Sequence, residues 1–206
     1  MKNPLHYQLS EYDCGPTSVL NAVNYLLERE QIPPEIVRNV MLYCLDCHGL
    51  DGTAGKLGTS TSAMMFLSNW LDNFGKVGLL PLASQYLSGE TVYIGPSGSI
   101  NDALQRNGAA VVRVFTDEWH YILLTGLDGD RVYAFDPYYQ IEPYTQPDIL
   151  TVDDQPFRYN RIIPASYLNS TAESLYALAT PETREAVILF NEETKITAED
   201  TVEYFI

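Results

Sequence analysis

Residues 8–27 read Gln8-Leu9-Ser10-Glu11-Tyr12-Asp13-Cys14-Gly15-Pro16-Thr17-Ser18-Val19-Leu20-Asn21-Ala22-Val23-Asn24-Tyr25-Leu26-Leu27. Val19, Leu20, Val23, Leu26 and Leu27 recur at three- and four-residue spacing, which predicts a helix with one buried face. Asp13 stands where an N-cap is expected, and Gly15-Pro16 open a helix predicted over about 14–30. Cys14 therefore falls at the helix start. Backbone N–H groups there are unpaired and carry partial positive charge, and a thiol in such a place is expected to ionise more readily. Six residues upstream, Gln8 offers an amide with two N–H donors.

Two stretches further along the chain complete a potential site. Trp119-His120-Tyr121-Ile122-Leu123-Leu124 reads as a strand carrying a histidine. Arg131-Val132-Tyr133-Ala134-Phe135-Asp136-Pro137 reads as the next strand, ending in a carboxylate. A thiol, a histidine and an acid are the parts of a nucleophile, its base and the group that orients the base. Each has a plainer reading when taken alone. Cys14 could be a core thiol, His120 a buried histidine beside Ile122 and Leu124, Asp136 a turn residue before Pro137, and Gln8 a surface amide.

Taken as a set, Gln8, Asp13-Cys14-Gly15, His120 and Asp136-Pro137 resemble the motifs of papain-fold cysteine peptidases related to the bacteriocin-processing (double-glycine leader) peptidases. The order Gln, Cys, His, Asp and the spacings match over roughly residues 5–140. Pro16-Thr17 is closer to the free-standing relatives than to the leader peptidases themselves. The resemblance implies an α+β, papain-like fold with N-terminal helices packed on an antiparallel sheet. It further implies a Cys14–His120–Asp136 triad with Gln8 at the oxyanion, no cofactor or metal, and a peptide or protein substrate. A transpeptidase or other acyltransferase would use the same residues, and a peptide-binding domain that no longer cuts is a third reading.

The 206 residues are expected to form one domain, with a core at about 5–145 and residues 146–206 as an extension packed on it. A formal net charge of -15 argues against nucleic-acid binding and against anionic membranes. No apolar run reaches membrane-spanning length, and the first residues lack the apolar region of a signal peptide. Three cysteines do not make a disulfide framework, so the expected compartment is the cytoplasm. Oligomeric state is not readable.

Cys44-Leu45-Asp46-Cys47-His48 formally matches a haem-attachment motif, but Cys44 shares a helical face with Ile36, Val37, Val40 and Met41 and reads as core. Zinc would need further ligands at similar spacing. The glycine-rich loop 46–58 carries Leu50 and Leu57 where a phosphate loop needs Gly and Ser or Thr.

Further helices are predicted after Pro34, after a Ser60 cap, after Ser99 and near 165–178. Strands are predicted at 77–82, 91–94, 109–115, 119–126, 131–136, 141–145 and 186–190. Helices followed by antiparallel strands make an α+β pattern. One hairpin decides whether a triad can exist. A two-residue turn at Asp128-Gly129 would put His120 and Asp136 on opposite sheet faces. A three-residue loop, Leu127-Asp128-Gly129, would pair them directly, with a bulge and a positive φ at Gly129. The longer loop is the one compatible with a triad.

Overall fold

The computed structural model describes residues 1–140, 142 and 144–196. Helix α1 spans Cys14–Leu26 and buries Val19, Ala22, Val23 and Leu26, as the spacing requires. It ends sooner than expected. Leu27 is already extended, and the Asn191 side chain caps the freed carbonyl of Leu26 at 3.0 Å. Helix α2, Pro34–Cys44, starts on a proline, whose missing N–H costs nothing at that position. It buries Ile36, Val40 and Cys44 but leaves Val37 exposed, against the sequence reading. Helix α3, Thr61–Lys76, is capped by Ser60, whose hydroxyl accepts from the Ala63 N–H at 3.0 Å.

The remaining elements are β1 Leu82–Ser88, α4 Ser99–Gln105, β2 Ala109–Phe115, β3 Trp119–Asp128, β4 Arg131–Phe135, β5 Leu150–Thr151, β6 Arg161–Pro164, α5 Ala165–Leu168 and β7 Glu185–Asn191. The strands form one seven-stranded sheet in the order β1-β7-β2-β3-β4-β6-β5. Every pairing is antiparallel. β7 lies between β1 and β2, so a strand from the end of the described chain sits inside the sheet.

Both faces of the sheet are covered, which explains why its central strands read as continuous apolar runs. On one face Val111, Leu123, Val187 and Leu189 pack under α1, α2 and α3. On the other, Val112, Ile122, Leu124 and Ile188 pack with α4 and residues 168–178. Each fully buried aliphatic side chain is worth about 1.5–3 kcal/mol, so these two layers hold the helices to the sheet.

Several predicted elements are corrected. α3 runs on to Lys76, so 77–81 become the turn into β1 rather than a strand. Residues 89–91 form one 3-10 turn, and no strand covers 91–94. The helix expected at 165–178 lasts one turn. Beyond it Asn169 bonds both backbone groups of Ile94, and Tyr176 and Ala179 take positive φ, so tertiary partners override helical spacing. At 141–145, residues 142, 144 and 145 carry no strand, and 141 and 143 lie outside the described residues. The acidic end, 197–206, also lies outside them.

Candidate active site

Cys14 opens α1, as predicted, but Asp13 does not cap the helix with its side chain. Its carboxylate turns back into the preceding loop. It accepts from the N–H of Leu9 at 2.9 Å, the N–H of Ser10 at 2.6 Å and the Ser10 hydroxyl at 2.5 Å. The Thr17 hydroxyl adds a fourth bond at 3.2 Å. Burial pushes the Asp13 pKa up, but these bonds, led by Ser10, hold it below the usual carboxylate range. Asp13 thus shapes the loop that carries Gln8.

The Gln8 amide Nε2 donates to the Ser10 carbonyl at 2.7 Å, while its backbone N–H donates to Pro137 O at 2.8 Å. Its Oε1 is buried without a partner. Asn21, fully buried on α1, clamps both backbone groups of His6 at 2.8 and 2.9 Å, which fixes the lead-in segment against the helix. Gly15 is needed for close approach, since a Cβ there would meet the Thr59 hydroxyl oxygen at 2.2 Å.

On the sheet, Asp128 pairs with Arg131, Leu127 with Val132 and Gly126 with Tyr133. The turn is therefore the two residues Gly129-Asp130, neither of the predicted loops. Gly129 does have positive φ, +62°, as a Gly-first two-residue hairpin turn requires. In this register Asp136 would fall opposite Leu123, and His120 would take the other face. The chain corrects itself at Thr125. A bulge shifts the pairing, so that Leu124 meets Ala134 and Leu123 meets Phe135. Asp136 is then next in line opposite Ile122, on the face of His120. The expected bulge exists, but four residues before Gly129. The Tyr25 hydroxyl of α1 donates to the Thr125 carbonyl at 3.0 Å, and the Ser18 hydroxyl donates to the Tyr121 carbonyl at 2.9 Å. These bonds tie α1 to β3 at the shift and four residues before it.

His120 Nε2 bonds Asp136 Oδ1 at 2.8 Å, a diagonal contact rather than the direct pairing expected. Both side chains are nearly buried. The other ring nitrogen, Nδ1, is not engaged by Asp136. Burial pulls the His120 pKa down, but the charge and hydrogen bond of Asp136, joined by Cys14, more than offset this and carry it up to about 10. For Asp136, burial raises the pKa, while His120 first, then the Tyr176 hydroxyl and the Tyr138 N–H, bring it below the ordinary value.

Gln8, Cys14, His120 and Asp136 line one open cleft of about 560 Å³, so the structure brings all four predicted residues together. Glu11, Asp117 and Glu118 also line it, with no lysine or arginine among the lining residues. Asn160, Tyr138 and Tyr176 were not legible as partners of Asp136. They carry no motif, and only the fold brings them near.

The other cysteines stand apart. Cys44 is buried and its thiol is pushed up to about 12, by burial first and then by the Asp46 charge. Cys47, also raised by burial and Asp46, leans on the Asp46 carboxylate at 3.7 Å. Among the described residues no three His, Cys, Asp or Glu side chains are grouped to hold a metal ion, and no helix is long and apolar enough to cross a membrane.

The model of the Peptidase_C39 like family matches residues 2–161. Among solved structures, the chain is similar to a double glycine motif protease from an AMS/PCAT transporter, crystallised in complex with the leader peptide. The similarity has 14% identity and a TM-score of 0.42, and covers 91% of this chain and 89% of that one. No curated protein matches the sequence.

Proposed function

Because the chain belongs to the Peptidase_C39-like family, we propose that it is a cysteine peptidase that cleaves a peptide or amide bond through a thioester on Cys14. The observation that supports this most is the bonded pair His120–Asp136 lining one cleft with Cys14. With Nε2 bound to Asp136, His120 handles protons through its other nitrogen, Nδ1.

The Cys14 thiolate attacks the substrate carbonyl carbon, and the carbonyl electrons move onto oxygen. That oxyanion is held by the Cys14 backbone N–H and by the second N–H of the Gln8 amide, the first being bound to Ser10. One such donor is worth about 2.7–4 kcal/mol in the transition state. The tetrahedral adduct collapses, the C–N bond breaks, and the His120 imidazolium gives its Nδ1 proton to the leaving amine. Water then attacks the thioester while the same nitrogen takes its proton. The second adduct expels the Cys14 thiolate, and the imidazolium–thiolate pair is restored. Asp136 holds the ring and stabilises its charge throughout.

The single domain read over residues 1–206 is supported as far as Asn191 in this reading, since β7 is an interior strand of the sheet. Three free cysteines agree with a reducing compartment such as the cytoplasm.

The test is incubation with a peptide library plus amine acceptors, read by mass spectrometry against Cys14→Ala. Hydrolysed peptides from the native chain only are expected. Acceptor-bearing products would make it an acyltransferase. Intact peptides that bind equally to both proteins would leave a binding domain.

A further inference from the structure

We propose that Tyr176 is a positioning residue for the reaction, holding the Asp136 carboxylate in the one orientation that serves His120. The proposal rests on the assignment of Cys14, His120 and Asp136 made above. Tyr176 lies beyond the stretch matched by the family model, which ends at residue 161.

The two oxygens of Asp136 are differently engaged. Oδ1 accepts from His120 Nε2 and from the Tyr138 N–H, each at 2.8 Å. Oδ2 accepts from the Tyr176 hydroxyl at 2.6 Å. The backbone of Asp136 is gripped by Asn160, whose Oδ1 accepts from its N–H and whose Nδ2 donates to its carbonyl, both at 2.8 Å. Rotation of the carboxylate would break the bonds of both oxygens at once. Oδ1 is thereby kept on Nε2, which leaves Nδ1 for proton transfer.

Tyr176 is itself held from behind. It has no exposed surface and sits at φ +61°, a conformation that non-glycine residues keep only where their surroundings impose it. Its N–H donates to the Phe115 carbonyl at 2.7 Å, at the end of β2. Since its hydroxyl donates to Asp136, the Tyr144 hydroxyl 2.5 Å away donates to it. Arg161 Nε in turn donates to Tyr144 at 3.4 Å, and its guanidinium lies 5.4 Å from the Tyr144 ring centre. Arg161, Tyr144 and Tyr176 form a series of donors all directed at one buried carboxylate, and each bond polarises the next. Such a carboxylate is tolerated only when it is bonded on every side. The titratable groups that face it are His120 from β3, Tyr176 with Tyr144 behind it, and Arg161 from β6.

The test uses the full chain and reads the iodoacetamide alkylation rate of Cys14 against pH, with mass spectrometry separating Cys14 from Cys44 and Cys47. Tyr176→Phe keeps the ring and removes the donor. At about pH 6 it should slow Cys14 labelling roughly tenfold, as expected for a bond to a charged group, and move the acid limb of the profile upward. In an Asp136→Asn background, where labelling is already slow, Tyr176→Phe should add less than about a twofold change, because coupled residues are not additive. An equal slowing in both backgrounds would make Tyr176 a packing residue and overturn the proposal. So would a Tyr176→Phe profile that overlays the native one. If Tyr176→Phe does not fold, Tyr144→Phe removes only the donor behind it. A slowing of about twofold to threefold is then expected, and no change overturns the proposal. His120→Ala tests the underlying site separately. If it labels as fast as the native protein, the triad itself is wrong, whatever Tyr176 does.

Discussion

The two walls of the cleft are built on different principles. On the wall that carries Cys14, every partner of the Asp13 carboxylate lies within four residues of it: Leu9, Ser10 and Thr17. On the wall that carries His120, the partners of Asp136 include Asn160 and Tyr176, at separations of 24 and 40 residues. His120 reaches Asp136 only through a hairpin whose register changes midway. One wall is shaped chiefly by bonds within a few residues, with Gln8 also tied to Pro137 through its backbone N–H. The other exists only once the whole sheet has assembled. A local site is robust to distant change, whereas an assembled one inherits the errors of each strand pairing.

Removing His120 should break this contrast most severely. His120 is the side chain through which the assembled wall acts on the site, bonded to Asp136 at 2.8 Å. In His120→Ala turnover should fall to the level of Cys14→Ala, while the loop of residues 8–13 stays intact. A His120→Ala variant that keeps native turnover would show that the assembled wall takes no part in the reaction.

Next in size are changes to the local wall. Gln8→Ala should lower kcat by about 10²–10³ with little effect on KM, the loss typical of an oxyanion donor. Asp13→Ala should cost about 10² in kcat, because bonds to a charged group, each worth about 1.5–3 kcal/mol, release the Gln8 loop. The two together should be less than additive if Asp13 acts through Gln8. Full additivity in steady-state kinetics would separate them.

The assembled wall should also show in stability. His120 gains a raised pKa on folding, so its contribution is complete below the free imidazole value of about 6.5. That contribution is lost as pH rises toward about 10. Asp136, held low, contributes the opposite dependence: present above about pH 4 and lost on acidification. Urea midpoints measured across the alkaline window should fall in the native chain and fall less in His120→Ala. Parallel curves would show that the imidazolium is not held as described.

The smallest effect separates the turn from the bulge. A Cβ at Gly129 would meet nothing within 4 Å, so Gly129→Ala pays only for positive φ, about 1–2 kcal/mol. Thermal denaturation should report that loss, with kcat unchanged. A large loss of kcat would mean that the turn, and not Thr125, sets the register.

Much of this protein was legible from residues alone, for reasons that stay within a few residues. Apolar spacing marks α1 and α3 because each helix buries a single face. The pairing of a helix-opening Cys14 with an upstream Gln8 was visible because that wall is local. His120 and Asp136 could be named as partners, and the need for a register that joins them could be stated. How the chain meets that need was not available. Either a longer turn or a bulge puts both side chains on one face, and nothing around Thr125 or Gly129 prefers one in isolation. Packing chose the bulge, where α1 supplies a hydroxyl to the Thr125 carbonyl. The same holds for 165–178, whose helical spacing yields to bonds with Ile94, Phe115 and Asp136. Spacing along the chain encodes what a segment buries. The residues it will meet across the fold are set only when hydrogen-bonding groups far apart in sequence must satisfy one another in the same dry interior.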